Sequence, residues 1–229
     1  MKKSTLIRLL VLPVISLTFL QSCKEDKTIV EEEPVADQTK TFELDNVATA
    51  TAAGWTFKNL SEGQTSSSYG FDNDNSFAPY SGAGYIFASF EAGEGTLSVW
   101  AISPSVTLQN GDKISFYTRT YNDNSDPANV YPDRLQLRLS LADKDSVGTD
   151  AESVGLFKTG LVDINPDLSP TLPNAYPDSW TKFEGTVSGL NKPTKGRYAF
   201  RYFVEDGGSA GSNSLAIALD KVTYTSVNH

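Results

Sequence analysis

Residues able to do acid–base or nucleophilic chemistry are few in this chain of 229 residues. It holds one histidine, His229, at its last position, and one cysteine, Cys23. A hydroxyl or thiol nucleophile needs a base within hydrogen-bond reach, so Ser-His-Asp and Cys-His arrangements are closed to it. Histidine-bound zinc is closed for the same reason. Carboxylate is in supply, with 28 Asp and Glu against 19 Lys and Arg and a formal net charge of −9. A pair of carboxylates can hydrolyse a glycosidic bond. Asp133, Glu205 and Asp163 are the members open to such a pair, but their spacing along the chain does not set their separation in space. A glycoside-processing enzyme is therefore the alternative, and the leading expectation is no catalysis. Asp72-Asn73-Asp74-Asn75 alternates like part of a calcium loop but lacks the glycine and distant glutamate of an EF-hand. It reads as a solvated turn.

Aromatic and arginine side chains offer a second chemistry. Sugar rings stack on exposed aromatic faces while polar side chains take the hydroxyls. Tyr117, Arg119 and Tyr121 alternate along one segment, Gln136 and Arg138 along another, and Arg201 lies on a third. Placed in one sheet, the six would make a ligand-binding platform. The competing reading is that the arginines pair with acids and cover the sheet with their stems. Trp55, Trp100 and Trp180 are expected to be packing residues.

The elements that must position these residues are strands. Ile114 to Tyr121 alternates Ile114 and Phe116 with Tyr117, Arg119 and Tyr121. Arg134 to Leu141 puts Leu135, Leu137, Leu139 and Leu141 on one face. Arg197 to Glu205 repeats the pattern, and Leu215 to Tyr224 reads as a last strand. A period of two means one buried face per strand. Gly, Pro, Asn, Asp and Ser punctuate the chain at short intervals, helix signals are nearly absent and no repeat is visible. The pattern predicts an all-β fold over residues 41–227, a jelly-roll β-sandwich of two antiparallel sheets.

The first residues read as an export signal. Lys2, Lys3 and Arg8 precede an apolar run, Leu9 to Leu20, that is too short to span a bilayer. Leu20-Gln21-Ser22-Cys23 resembles a lipobox, with Gln21 a loose fit. Residues 1–22 are thus expected to be a lipoprotein signal peptide, with Cys23 the lipidated residue. Lys24-Glu25-Asp26 resembles the surface-export signal of Bacteroidetes lipoproteins. Residues 23–40, with Glu31-Glu32-Glu33-Pro34, read as an acidic, disordered tether. Losing the three signal-peptide cations takes the charge from −9 to −12. That balance argues against nucleic acid and against electrostatic binding to anionic lipid. The membrane is then met through the lipid anchor alone, at the outer membrane and exposed on the cell surface.

Longer motifs carry a family resemblance. Trp100-Ala101-Ile102-Ser103-Pro104, Leu108, Gly111 and Ile114 to Thr120 resemble the start of a choice-of-anchor J domain. The likeness continues through Tyr131 to Ser140, Asp163 to Pro166, Tyr176-Pro177, Trp180, Gly196 to Val204, Gly211 to Ser214 and Leu219 to Val222. Ser98 and Val99 depart from it, since many relatives carry Asp or Asn before the tryptophan. The resemblance spans about Phe42 to Tyr224. It implies a jelly roll related to cleaved-adhesin and MAM-like domains, carried to the cell surface as an adhesion or binding module. Related jelly rolls often pin first and last strands together with calcium. By that resemblance Glu43 and Asp220 are the expected metal ligands, with Asp45 assisting, and calcium would be structural. The expected partner is a glycan or a surface protein; a purely structural surface component is a further alternative.

Overall fold

A computed structural model describes residues 39–65, 68–73 and 76–227. The signal peptide, Cys23, most of the tether, Asp74, Asn75 and His229 lie outside the described residues. Twelve strands are described: β1 (Thr39–Phe42), β2 (Thr56–Asn59), β3 (Gly70–Asp72), β4 (Tyr85–Ser89), β5 (Gly95–Ile102), β6 (Val106–Leu108), β7 (Lys113–Thr120), β8 (Leu135–Ser140), β9 (Thr159–Ile164), β10 (Thr181–Thr186), β11 (Thr194–Gly207) and β12 (Ala216–Thr225). β1 begins inside the stretch read as tether. The one α-helix among the described residues, α1 (Val47–Ala52), has no hydrophobic period long enough to announce it. Asn46 caps it by accepting the Thr49 N–H at 2.8 Å.

The strands form two six-stranded antiparallel sheets. The front sheet runs β10-β7-β12-β4-β3 with β1 on β12, and the back sheet runs β2-β5-β11-β8-β9 with β6 on β11. From β4 onward the chain repeatedly crosses between the sheets, and the result is the expected jelly-roll sandwich. β7 shows why: Ile114, Phe116, Thr118 and Thr120 are buried, while Ser115, Tyr117, Arg119 and Tyr121 are partly exposed. The buried row of β7 meets that of β11 at Phe116 and Phe200, whose rings cross edge-to-face at 4.8 Å. Trp55 packs against Phe42, Tyr198 and Phe200 in the same interior. Burying one such ring contributes roughly 1.5–3 kcal/mol.

β11 departs from simple alternation. Every residue from Tyr198 to Val204 is buried, because the segment between β8 and β9 folds over the outside of the back sheet. Trp100 and Ile102 of β5 and Ala199 of β11 pack there against Val147 and Phe157 of that segment, making a second apolar cluster. A strand covered on both faces needs no polar face, and this is where Arg201 is enclosed.

Candidate ligand-binding face

Sheet membership divides the six residues expected to form one platform. Tyr117 and Arg119 on β7, and Tyr121 just after it, lie on the outer face of the front sheet. Gln136, Arg138 and Arg201 lie on the outer face of the back sheet, so the single platform is not formed.

The back-sheet trio is occupied in holding the covering segment. Arg201 is 2% exposed. It donates to Ser98 Oγ at 3.0 Å and to the Ala151 carbonyl. Its guanidinium also lies 3.8 Å from the Phe203 ring centroid and 5.1 Å from that of Trp100. Burial, followed by the charge of Arg138, lowers its pKa to about 9. Arg138 donates to the Phe157 carbonyl at 2.8 Å and the Lys158 carbonyl at 3.3 Å, and to Gln136 Oε1 at 3.2 Å. Gln136 in turn donates to Asp163. These are staples between sheet and segment.

The front face is aromatic. Tyr80 lies flat on Tyr117 with centroids 3.5 Å apart, and Trp180 meets Tyr80 edge-on at 6.4 Å. Trp180 is half-buried and donates its indole N–H to the Ala78 carbonyl at 2.9 Å. It is therefore the packing residue expected, but its ring also borders this face. Phe77 stacks on Tyr85 and tilts against Tyr121 at 4.7 Å, with the Arg119 guanidinium 3.9 Å from its ring centroid. Arg119 also donates to the Asp178 carbonyl, and burial lowers its pKa.

Beneath the rings, Asp72 accepts Tyr85 Oη at 3.1 Å and Tyr121 Oη at 3.0 Å. Burial is the largest cause raising both phenols, that of Tyr85 to about 12. Asp72 is buried, which corrects its reading as part of a solvated turn. Tyr80, at 39% exposed, is the most open ring of the ledge. Phe77 and Tyr80 escaped the sequence reading because they lie in a Gly- and Pro-rich loop where no period marks a face; aromatics set among turn residues were the available signal.

The three residues expected at calcium all reach one turn. Ser81 donates its hydroxyl to Glu43 Oε2 at 2.5 Å and its N–H to Asp220 Oδ2 at 3.0 Å, and Ala83 donates its N–H to Asp45 Oδ1 at 2.7 Å. Between them Gly82 has φ +69°, and a Cβ there would strike Asp45 Oδ1. A bulge in β12 after Asp220, with Lys221 at φ +46°, aims the Asp220 side chain off the ladder. Burial, with the Glu43 charge adding to it, raises Asp220 to about 6. Glu43 and Asp220 are thus brought together on Ser81, with the Lys221 ammonium 3.9 Å from Glu43 Oε1. Asp45 grips the far side of the turn. Among the described residues no group of three or more acids, histidines or cysteines is placed to hold a metal ion jointly.

Of the carboxylates considered for hydrolysis, Asp133 is set apart, whereas Asp163 and Glu205 both act on Arg134. Asp133 is fully buried inside the sandwich. Asp163 lies on the outside of the back sheet, with both oxygens on the Arg134 guanidinium at 2.9 and 2.7 Å. Glu205 is exposed.

No protein-family model matches the chain, and no curated protein matches it. Solved structures do. The K1 cleaved adhesin domain of Lys-gingipain from Porphyromonas gingivalis superposes with a TM-score of 0.57 at 18% identity, covering 83% of this chain and 99% of that domain. The K2 cleaved adhesin domain of Lys-gingipain gives 0.50 at 19% identity, covering 84% and 99%. A lower score, 0.46 at 13% identity over 80% of this chain and 61% of the other, belongs to carbohydrate-binding modules of the β-sandwich superfamily. The likeness to the adhesin domains is one of fold: a jelly-roll β-sandwich.

Proposed function

We propose that this chain is a non-catalytic adhesion or binding module of the choice-of-anchor J kind, tethered to the outer membrane by lipid on Cys23 and exposed on the cell surface. Its ligand is a glycan in the first place and a surface protein in the second, and it takes no nucleic acid. The observation that carries the binding reading is the ledge of Tyr80, Tyr117 and Trp180 on the front sheet, beside the charged Arg119. Flat rings held by stacking and by the Trp180 hydrogen bond are preorganised for the apolar face of a sugar, and preorganisation lowers the entropy lost on binding. The non-catalytic reading is supported by the burial of Asp133 in the interior and by the hold of Arg134 on both oxygens of Asp163.

Calcium is part of the same proposal. Glu43 and Asp220 are two carboxylates drawn to one serine, which repel; the Lys221 ammonium, 3.9 Å from Glu43 Oε1, offsets this on the Glu43 side, and calcium between the two would offset it on both. The ion would join the end of β1 and the middle of β12 to the Ser81 turn.

A glycan array probed with the chain tests the ligand class. Binding to a defined glycan set that disappears in Trp180→Ala supports the ledge, and equal signals from both proteins contradict it.

A further inference from the structure

Beside the ledge, the same face opens a shallow cavity of about 340 Å³. Phe87, Phe90 and Tyr121 line its sides and Ala216 lies between β4 and β7 as its floor, with Ser89 and Glu91 at its rim. The floor is low because β12 carries alanine here, with Tyr121 N–H donating to the Ala216 carbonyl at 3.0 Å. The Phe87 and Tyr121 rings are in tilted contact, with centroids 6.1 Å apart and planes 55° from parallel. Gly70 keeps Phe87 in place, since a Cβ there would come within 2.7 Å of its ring.

The polar groups of this cavity decide what it takes. Ser89 Oγ accepts the Glu91 N–H at 3.4 Å, and Tyr121 Oη is turned away to Asp72 and Tyr85. The Glu91 carboxylate is exposed and has no hydrogen-bond or ion-pair partner among the described residues. Arg119, on the same face, is directed to Phe77 and the Asp178 carbonyl. What is left is three aromatic rings, Leu215 and one free anion. A neutral sugar ring would find few protein partners for its hydroxyls here, and placed polar groups are what orient a ligand in a pocket. An alkylammonium group needs only aromatic faces and negative charge, both of which are present.

We infer that the Phe87–Phe90–Tyr121 cavity is a binding site for an organic ammonium group, with Glu91 as its counter-charge. The group is either the side chain of a lysine on a partner polypeptide or a small quaternary ammonium such as choline. The chain's net charge of −9 favours approach of either cation. The inference rests on the reading that the front sheet's outer face binds ligand, but it does not need the Tyr80–Tyr117–Trp180 ledge.

Titration of the full-length chain, followed by calorimetry and by the ring resonances of the three aromatics, tests it. Choline is compared with its neutral isostere 3,3-dimethyl-1-butanol, and acetyl-lysine amide with its Nε-acetylated form. At least one of the two ammonium probes should bind about tenfold more tightly than its neutral counterpart; the tighter of the two identifies the source. Glu91→Gln should weaken that binding about tenfold, whereas Trp180→Ala should leave it unchanged. Equal affinity for charged and neutral probes, or no ammonium binding up to tens of millimolar, overturns the inference. Neither result bears on glycan capture at the ledge, which Trp180→Ala reads separately.

Discussion

Tyr202 donates its hydroxyl to Asp133 Oδ1 at 2.6 Å in the centre of the sandwich, and Thr120 donates to Oδ2 of the same carboxylate at 2.6 Å. Tyr202 belongs to the back sheet and Thr120 to the front, so one buried carboxylate joins both. Asn122 and the Leu215 N–H complete its shell.

This hub sets a pH dependence. Burial raises Asp133 to about 7, against the hydrogen bonds from Thr120, Tyr202 and Leu215 that pull it down. The unfolded chain would titrate this group near 3.8. Between those values the folded state holds a proton that the unfolded state has lost, so stability falls as pH rises from about 4 to about 7 and then levels. The ceiling on the effect is on the order of 4 kcal/mol. Melting curves across this window should fall more steeply with pH for the native chain than for Asp133→Asn. Parallel slopes for the two would contradict the assignment.

The calcium proposal predicts that a chelator lowers the melting temperature by several degrees and that added calcium restores it. A hundredfold excess of ion over its Kd stabilises by about 2.7 kcal/mol. Asp220→Asn should lose the response, and magnesium should replace calcium poorly because it demands tighter octahedral geometry. A melting curve indifferent to chelator would leave Glu43 and Asp220 as the gripping residues of the Ser81 turn and nothing more.

Arg138 separates the structural role from the ligand role first expected of it. Removing its hydrogen bonds to the Phe157 and Lys158 carbonyls should cost about 1.5–3 kcal/mol, as bonds to charged groups do. Arg138→Ala should expose the covering segment to trypsin at Lys144 and Lys158. Unchanged proteolysis together with lost ligand binding would restore Arg138 to the binding set.

Lipid anchoring predicts that Cys23→Ala moves the protein from the membrane fraction to the soluble one. A mutant that stays membrane-bound, with no lipid on the native chain by mass spectrometry, would sink this part of the account.

Strand-rich architecture was legible in the sequence because period two writes burial into each strand separately. Ile114 and Phe116 against Tyr117 and Arg119 needs no knowledge of the rest of the chain. Which sheet a strand joins is not written there. β7 and β8 both show arginines on their non-core faces, and only pairing distant in sequence puts them on opposite sides. The same limit hid Asp133, which sits between Pro132 and Arg134 with no local sign that it is buried. It also hid the enclosure of Arg201, which depends on a segment some fifty residues earlier that reaches it through the Ala151 carbonyl. Glu43 and Asp220 were paired through family likeness, and the β12 bulge that aims Asp220 has no signature in Leu219-Asp220-Lys221.

Ligand capture at the front-sheet ledge is open to a matched affinity comparison. With the best ligand from the array, Kd is measured for the native chain, Tyr117→Ala, Trp180→Ala and the back-sheet variant Arg138→Ala, with melting curves run alongside. An aromatic contact at a binding face is worth about 1 kcal/mol or more. Each front-sheet variant should bind roughly tenfold more weakly, while Arg138→Ala should melt earlier but bind as the native chain does. Native affinity in both front-sheet variants, with binding lost in Arg138→Ala while the protein remains folded, would contradict capture at the ledge.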